Sequence, residues 1–271
     1  MKCPSCGHSN PEKAQSCQVC GHDLTSSEPY RPTEKQAEPS GSGSLEPNSL
    51  FAGRYQVVRQ LGQGGMGEVY LVRDQKMEGR EIALKLISAS LIRDDAAKRR
   101  FVQEVEAAQR LKHPNIVSVF HLDEVQGRDF FTMEHLPGRS LRELIQERKE
   151  AGETFSLEEA RSLLLPVLSA LSHAHSQGII HRDLKPENIV VIGEDLSSAE
   201  VKVLDFGLAR IMSPSRMTTS AVAMGTAYYM APEQTGEREV DERSDVFSVG
   251  VILYELLVGK IPMGRFKLPS Q

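Results

Sequence analysis

The chain has 271 residues, of which 25% are charged and 39% are hydrophobic, proportions typical of an ordinary globular protein. Its formal net charge is −5 and its lysines and arginines are scattered, so nucleic acid is not an expected partner. No apolar run approaches the length of a membrane span, and the amino terminus lacks the apolar stretch of a signal peptide. We therefore expect a cytoplasmic chain with one sizeable core and a small accessory module.

All four cysteines lie near the amino terminus as two Cys-x-x-Cys pairs, Cys3 with Cys6 and Cys17 with Cys20. Two pairs at this separation match a tetrahedral zinc site and resemble the small zinc ribbons of many bacterial proteins. A ribbon over residues 1–24 is too short to bury a core, so a structural zinc ion would supply its folding energy. Two disulfides, or a redox role for the thiols, are the alternatives. Because four thiolates fill the site, we expect structure or docking, with a partner or a second copy, rather than zinc catalysis.

A segment of low complexity follows the cysteines. Residues 25–52 are rich in Ser, Pro, Glu and Gly, with a Ser-Gly-Ser-Gly-Ser run at residues 40–44. This composition predicts a flexible linker. The larger domain is then expected at residues 53–271.

A glycine-rich loop lies between two predicted strands, at residues 55–61 and 68–73. Gly62, Gly64 and Gly67 allow backbone amides to approach phosphate oxygens closely. Dinucleotide-binding folds use the same glycine spacing, but there a helix follows the loop, whereas here a strand follows it. The loop therefore predicts a phosphate site within a β-hairpin.

The next predicted strand, at residues 82–87, is apolar except for Lys85. A buried lysine needs a partner, although a lysine on an edge strand would reach water instead. Residues 94–111 have helical periodicity, and Glu104 shares a face with their apolar positions. Glu106 is two positions further and points nearly the opposite way. Glu104 is therefore the better candidate for a glutamate that faces the core.

Two short acidic motifs are the most informative feature of the chain. Residues 181–188 read His-Arg-Asp-Leu-Lys-Pro-Glu-Asn, and Asp205-Phe206-Gly207 follows. Between them lie two β-rich runs, at residues 189–192 and 201–204. Carboxylates and an asparagine in this arrangement supply a proton acceptor for a hydroxyl group and oxygen ligands for magnesium. The motifs predict phosphoryl transfer.

In order and spacing these motifs resemble the protein kinase superfamily, over roughly residues 55–262. The resemblance implies an α+β, two-lobed fold with a β-rich lobe at about residues 53–136 and a helical lobe at about residues 137–271. Lys185 is of the serine/threonine type, and the Ala-Pro-Glu-Gln sequence looks most like bacterial kinases of eukaryotic type. ATP, magnesium or manganese, and protein substrates are the implied cofactors and partners.

The resemblance also implies roles for the residues of the acidic motifs. Asp183 would orient the substrate hydroxyl and accept its proton, while Lys185 would steady the γ-phosphate. Asn188 and Asp205 would hold magnesium.

Nucleotide binding is assigned by the same resemblance. Lys85 would contact the α- and β-phosphates and pair with Glu104, and the segment at residues 130–138 would be the hinge that binds adenine. The Glu134 carbonyl and the Leu136 amide would face adenine. The apolar residues of the site are the gatekeeper and three side chains that sandwich the ring: Met133, Val69, Ala83 and Val190. Without the resemblance, these four would be read as ordinary core residues.

Regulation by phosphorylation is expected in the segment that follows Asp205. Arg182 is placed to pair with a phosphate there, and autophosphorylation of Thr218 or Ser220 is favoured over Thr219. The alternative is a flexible loop with no such role. Asp245 resembles a buried aspartate that braces the catalytic loop, a structural rather than a chemical role.

The resemblance ends before the last helices of a usual kinase large lobe. We therefore expect a C-terminally truncated lobe, with exposed apolar surface and a Glu233 carboxylate that lacks its partner. Two functions compete on this evidence: an active serine/threonine kinase, and a catalytically impaired nucleotide-binding or docking module. Intact Lys85, Asp183, Asn188 and Asp205 favour the enzyme.

Overall fold

The computed structural model describes Pro11 and residues 44–207, 226–235 and 240–262. The chain divides into two compact units, Met1–Ser44 and Leu45–Gln271, and the fold below is that of the second unit. The following predicted site residues lie outside the described residues: Cys3, Cys6, Cys17, Cys20, Thr218, Thr219 and Ser220.

An antiparallel six-stranded sheet forms the first part of this unit, with spatial order β1-β2-β3-β4-β6-β5. The strands are β1 (Leu50–Phe51), β2 (Tyr55–Gly64), β3 (Gly67–Asp74), β4 (Arg80–Ile87), β5 (Val119–Val125) and β6 (Arg128–Met133). Helix α1 (Asp95–Arg110) packs against one face, and the Asp94 carboxylate caps it by accepting from the Ala97 N–H.

The side chains of strand β4 point alternately into two apolar cores, one on each face of the sheet. Ile82, Leu84 and Leu86 enter the core on one face. Ala83 and Ile87 enter the core on the face that α1 covers. Since side chains alternate along a strand, Lys85 shares the α1 face with Ala83.

The helical lobe begins with a three-stranded sheet in the order β7-β8-β9. Its strands are β7 (Arg139–Ser140), β8 (Ile189–Ile192) and β9 (Glu200–Val203), and the described residues of this lobe include the α-helices α2 (Leu141–Glu150), α3 (Leu157–Ser176) and α4 (Arg243–Val258). Ser140 and Ser156 each begin a helix with a capping box, which stabilises the first turns of α2 and α3. Apolar residues of α2, α3, α4, β8 and β9 form one core, including Leu163, Leu171, Ile189, Val203 and Ile252.

The predicted two-lobed fold, with a β-rich first lobe and a helical second lobe, is confirmed. The predicted element boundaries agree with the observed ones to within a few residues, and Pro166 lies inside α3. In the part of the chain that the structure describes, no helix has both the length and the apolar character needed to cross a membrane.

The predicted linker extends too far along the chain. Residues 45–52 belong to the folded unit, because β1 pairs with β2 and Leu45 packs against the core that contains Phe51 and Tyr70. The Leu45 N–H also donates to the Tyr70 hydroxyl at 2.9 Å. The polar composition of the segment concealed its two apolar contacts with the core, Leu45 and Phe51.

Candidate active site

Strand register brings the predicted nucleotide residues of the first lobe onto one face. Val69 lies opposite Lys85, and Ala83 lies opposite Met133. Opposite residues of an antiparallel pair point to the same side, so these four side chains share the α1 face of the sheet. Half-buried Leu136 and Val69 pack against the core that contains Ala83 and Met133.

Val190 lies on the second lobe, close to the segment that the resemblance predicts as the hinge. Its neighbours Ile189 and Val191 enter the large-lobe core, so Val190 points to the opposite side of β8. A Cβ placed on Gly138 would be 2.9 Å from the Val190 Cγ1 atom, which shows how closely the segment after β6 approaches β8. The two lobes therefore present apolar side chains on both sides of the hinge.

Lys85 forms an ion pair across the lobes. Its Nζ atom lies 2.6 Å from the Asp205 Oδ2 atom, and the two side chains are 7% and 19% exposed. This contact joins the predicted phosphate-binding lysine to the predicted magnesium ligand. The resemblance predicts Glu104 as a partner of Lys85. In the structure the Glu104 Oε2 atom lies 3.0 Å from the place that a Cβ on Gly207 would occupy, so Glu104 lies beside the same acidic motif.

The catalytic loop brings three predicted residues together. The Lys185 ammonium group donates to the Asp183 carboxylate at 2.9 Å. The Asn188 Nδ2 atom donates to the Asp183 carbonyl at 2.7 Å, and the Asn188 carbonyl accepts from the Leu204 N–H at 2.8 Å. The bond from Leu204 to Asn188 places Asp205 next to the catalytic loop. Because the side-chain nitrogen of Asn188 is used within the loop, its amide oxygen is the atom that remains for a cation.

Asp245 is buried at the start of α4 and holds the backbone of the catalytic loop by hydrogen bonds. Its carboxylate accepts from the His181 and Arg182 backbone N–H groups and bonds the His175 Nε2 atom, each at 2.8 Å. Arg182 has a φ of 67°, a conformation that non-glycine residues rarely adopt. The bonds to Asp245 offset this strain, so the predicted bracing role is confirmed by geometry.

Sequence reasoning missed His181, which joins the two acidic motifs. The side chain is fully buried, and its Nε2 atom donates to the Leu204 carbonyl at 2.8 Å while Nδ1 accepts from the Asp183 N–H at 3.3 Å. In this arrangement Nε2 is the donor of the ring and Nδ1 is the acceptor. The ring also packs edge-on against Phe206 at 4.8 Å. Its position directly before Arg182-Asp183 was the only sequence signal available.

The carboxylate of Glu233 has a partner, contrary to expectation. The Ser244 hydroxyl donates to its Oε1 atom at 2.6 Å. The next residue, Gln234, donates from Nε2 to the Arg182 carbonyl at 2.6 Å and accepts from the Ala231 N–H at 2.9 Å. The expectation was wrong because it counted only an arginine as a partner, whereas a serine on α4 lies within reach.

The sequence also did not predict a network of hydrogen bonds and ion pairs around Arg142, because the residues of this network are far apart in the sequence. The Arg142 guanidinium, on α2, bonds Glu187 at 3.0 Å, Glu255 at 2.8 Å and the Tyr229 hydroxyl. Burial opposes the charge on Arg142, but these partners outweigh it and raise the arginine pKa. Burial and then Glu255 raise the pKa of Tyr229 far above its ordinary value, so the phenol stays neutral. The network ties α2 and α4 to the catalytic loop.

The hinge residue Glu134 forms an ion pair that the sequence did not indicate. Its carboxylate oxygens lie 3.0 and 3.1 Å from the Lys202 Nζ atom on β9.

A small cavity of about 10 Å³ lies beside Met133 and is lined by Phe131, Asp205 and Phe206 among others. A cavity of this size has room for at most one water molecule, so the space beside Met133 is nearly filled.

The Asp205 carboxylate and the Asn188 amide group offer oxygen atoms, which are the ligands that magnesium takes. Within the ranges that the structure describes, no three His, Cys, Asp or Glu side chains cluster as a metal site. In the ligand set that the resemblance implies, a magnesium ion would be held by Asp205, by the Asn188 amide oxygen and by phosphate oxygens of the nucleotide. Mixed coordination of this kind is the usual mode for Mg²⁺.

Residues 55–268 match the family described as "Protein kinase domain". The chain belongs to the protein kinase family. It is 36% identical over 218 residues to the probable serine/threonine-protein kinase PknB of Lactococcus lactis, and 36% identical over 212 residues to the serine/threonine-protein kinase PrkC of Bacillus subtilis. These matches cover 80% and 78% of this chain, so the predicted bacterial kinase relationship is confirmed.

The same matches cover 34% and 31% of the two relatives, so the chain spans about a third of their length. Among solved structures, the kinase domain of PknI from Mycobacterium tuberculosis matches with a TM-score of 0.66 and 31% sequence identity. The match covers 83% of this chain and 83% of that one. The similarity therefore extends over both lobes.

Proposed function

We propose that the chain is an ATP-dependent protein serine/threonine kinase, which transfers the γ-phosphate to protein hydroxyl groups. The observation that carries the proposal is the convergence of two lysine–aspartate pairs, Lys85 with Asp205 and Lys185 with Asp183, at 2.6 and 2.9 Å. One pair comes from the sheet lobe and the magnesium motif, and the other belongs to the catalytic loop. Phosphoryl transfer needs both sets of groups in one place.

Each pair has a distinct role in the proposal. Lys85 binds the α- and β-phosphates, with Glu104 as its partner in the nucleotide-bound protein. Asp205 and Asn188 hold magnesium, whose charge offsets that of the phosphates. Asp183 orients the substrate hydroxyl and accepts its proton, and Lys185 lies 2.9 Å from it, placed to contact the transferred group.

Adenine binding is assigned to the hinge. The Glu134 carbonyl and the Leu136 amide bond the base, and Val69, Ala83 and Val190 sandwich it. The phosphates lie under Gly62, Gly64 and Gly67, where two of the glycines are open: a Cβ on Gly62 or Gly64 would meet no atom within 4 Å. This opening leaves room for phosphate oxygens to approach the backbone amides.

The remaining parts of the proposal concern residues outside the described ranges. Cys3, Cys6, Cys17 and Cys20 bind one structural zinc ion, and the resulting ribbon docks a partner or a second copy of the chain. Thr218 and Ser220, more than Thr219, receive the activating phosphate, which Arg182 binds. We further propose that the chain acts in the cytoplasm. The relatives' names support the serine/threonine specificity alone.

The test is phosphate incorporation from radiolabelled ATP and magnesium into the chain and into a generic protein substrate. We expect Asp183→Asn to lower the rate by about 10²–10⁴-fold, the usual contribution of a general base, and Lys85→Met to lower it at least as much. Arg161→Met is the control, since that arginine forms an exposed ion pair with Glu158. Mass mapping of the wild-type product tests Thr218 and Ser220.

A folded, nucleotide-binding wild-type chain that incorporates no phosphate would contradict the kinase proposal and support the impaired docking module. The zinc proposal is checked separately, by metal analysis of the purified chain. One zinc per chain is expected, lost when Cys3 and Cys6 are replaced by serine. Zinc-free protein with two disulfides would refute it.

A further inference from the structure

A shielded ion pair joins the hinge to the strand that precedes Asp205. The Lys202 and Glu134 side chains are 11% and 27% exposed, and the shorter of their contacts is 3.0 Å. Burial by itself lowers the pKa of Lys202, but the hydrogen bonds and charges of Glu134 and, to a smaller extent, of Glu200 outweigh it and hold that pKa above the ordinary lysine value. Lys202 therefore remains a cation at any pH at which the protein would act.

Glu134 is held from the small-lobe side as well. Its backbone N–H donates to the Ser118 carbonyl at 2.9 Å, and its Oε2 atom accepts from the Ser118 N–H at 3.3 Å. The backbone and the side chain of this one residue are thus both tied to the residue that precedes β5. Lys202 adds the tie from the other lobe.

Lys202 occupies the face of the three-stranded sheet that looks away from the large-lobe core. It lies opposite Val190 in the register of β8 and β9, and opposite residues share a face. Its neighbours Val201 and Val203 enter the core instead. The cation therefore stands on the same side as Val190, the proposed floor of the adenine site.

We propose that Lys202 is a positioning residue for ATP, which holds the Glu134 side chain so that the Glu134 backbone carbonyl is fixed where adenine binds it. The proposal rests on the hinge assignment made above. A hinge that is held in its binding geometry loses less entropy on ordering when the nucleotide arrives. Lys202 does not contact the reacting groups, so its effect belongs to binding rather than to chemistry.

The test measures nucleotide affinity and steady-state kinetics on the full chain. For Lys202→Met we expect the Kd of a fluorescent ATP analogue and the KM for ATP to rise about tenfold, while kcat at saturating ATP stays near that of the wild type. Glu134→Gln should shift both constants in the same direction. The double variant should be no worse than Lys202→Met, because both changes remove one interaction. Lys202→Arg, which keeps the cation, should recover most of the affinity.

Glu200→Gln is the matched control, because Glu200 is the other carboxylate near Lys202, at 3.4 Å, but is 55% exposed and lies off the hinge. Its Kd for the analogue should equal that of the wild type. An unchanged Kd in Lys202→Met, with or without a lower melting temperature, would overturn the proposal. A higher kcat in Lys202→Met at an unchanged Kd would also overturn it, because the Lys202–Glu134 pair would then restrain movement of the lobes and not position the nucleotide. A wild-type chain that binds no analogue would refute the hinge assignment itself.

Discussion

The glycine-rich loop and the catalytic loop are held in opposite ways. The glycine-rich loop depends on the backbone of its own hairpin, and the space beside Gly62 and Gly64 is open. The catalytic loop depends on distant side chains, with Asp245 of α4 bonding the backbone of His181 and Arg182. A loop that receives phosphate needs room beside its amides, whereas a loop that orients a general base needs a fixed backbone.

The difference predicts where substitutions will act. Changes in the glycine-rich loop should act locally, either by a clash with the adjoining strand or on nucleotide binding alone. Changes at the supports of the catalytic loop should act on the stability of the whole large lobe and on catalysis together. The following predictions are ordered by the size of the expected effect.

Asp245→Asn should cause the largest loss of stability. The substitution removes a buried charge and turns one accepting oxygen into a donor that faces other donors, so the free energy of unfolding should fall by about 3 kcal/mol. Urea denaturation measures it. Asp241→Asn is the control, since Asp241 is exposed and an amide can still accept from the Arg243 N–H. Equal stability of the two variants would mean that the catalytic loop does not depend on α4.

Gly67→Ala and Gly64→Ala should separate two uses of glycine. A Cβ on Gly67, which has a φ of 138°, would lie 1.9 Å from the Leu86 carbonyl oxygen, so the sheet must distort and we expect a loss of about 2 kcal/mol. A Cβ on Gly64 meets nothing within 4 Å, so stability should be unchanged while the Kd for ATP rises. Thermal denaturation and nucleotide titration distinguish the two. A stable Gly67→Ala chain would contradict the hairpin geometry.

The smallest effect is a dependence of stability on pH through His113. Burial, followed by the nearby His173, lowers the pKa of His113 in the folded protein. The unfolded chain, with an ordinary histidine pKa near 6.5, therefore binds the proton first. This contribution to stability is complete above about pH 6.5 and is lost as the pH falls toward the folded pKa. Urea titrations measure the free energy of unfolding at pH 7.5 and at pH 5.5. The decrease between the two pH values should be smaller in His113→Gln than in the wild type, and equal decreases would refute the assignment.

The turn that contains His113 supports β9, the strand that precedes Asp205. Its Nδ1 atom accepts from the Asn115 N–H at 3.1 Å, and the Asn115 side chain donates to the Val201 carbonyl on β9 at 2.8 Å. Protonation of His113 would remove the first of these bonds. Acid should therefore loosen β9 before it affects the glycine-rich hairpin.

The sequence by itself supplied the strands and helices, through local periodicity, and the two acidic motifs, through residue types at short spacings, and the resemblance of those motifs to the protein kinase superfamily implied the two-lobed fold. Element boundaries came close for the same reason, and only the start of the folded unit was misplaced, where Leu45 and Phe51 sit in a polar segment. The partners of the charged groups were decided by the tertiary structure. Asp205 beside Lys85, Lys202 beside Glu134 and Arg142 among three distant residues join charges whose separation along the chain gives no sign of contact. A buried charge pairs with whatever the packed elements bring within about 3 Å, and only the assembled fold sets that distance.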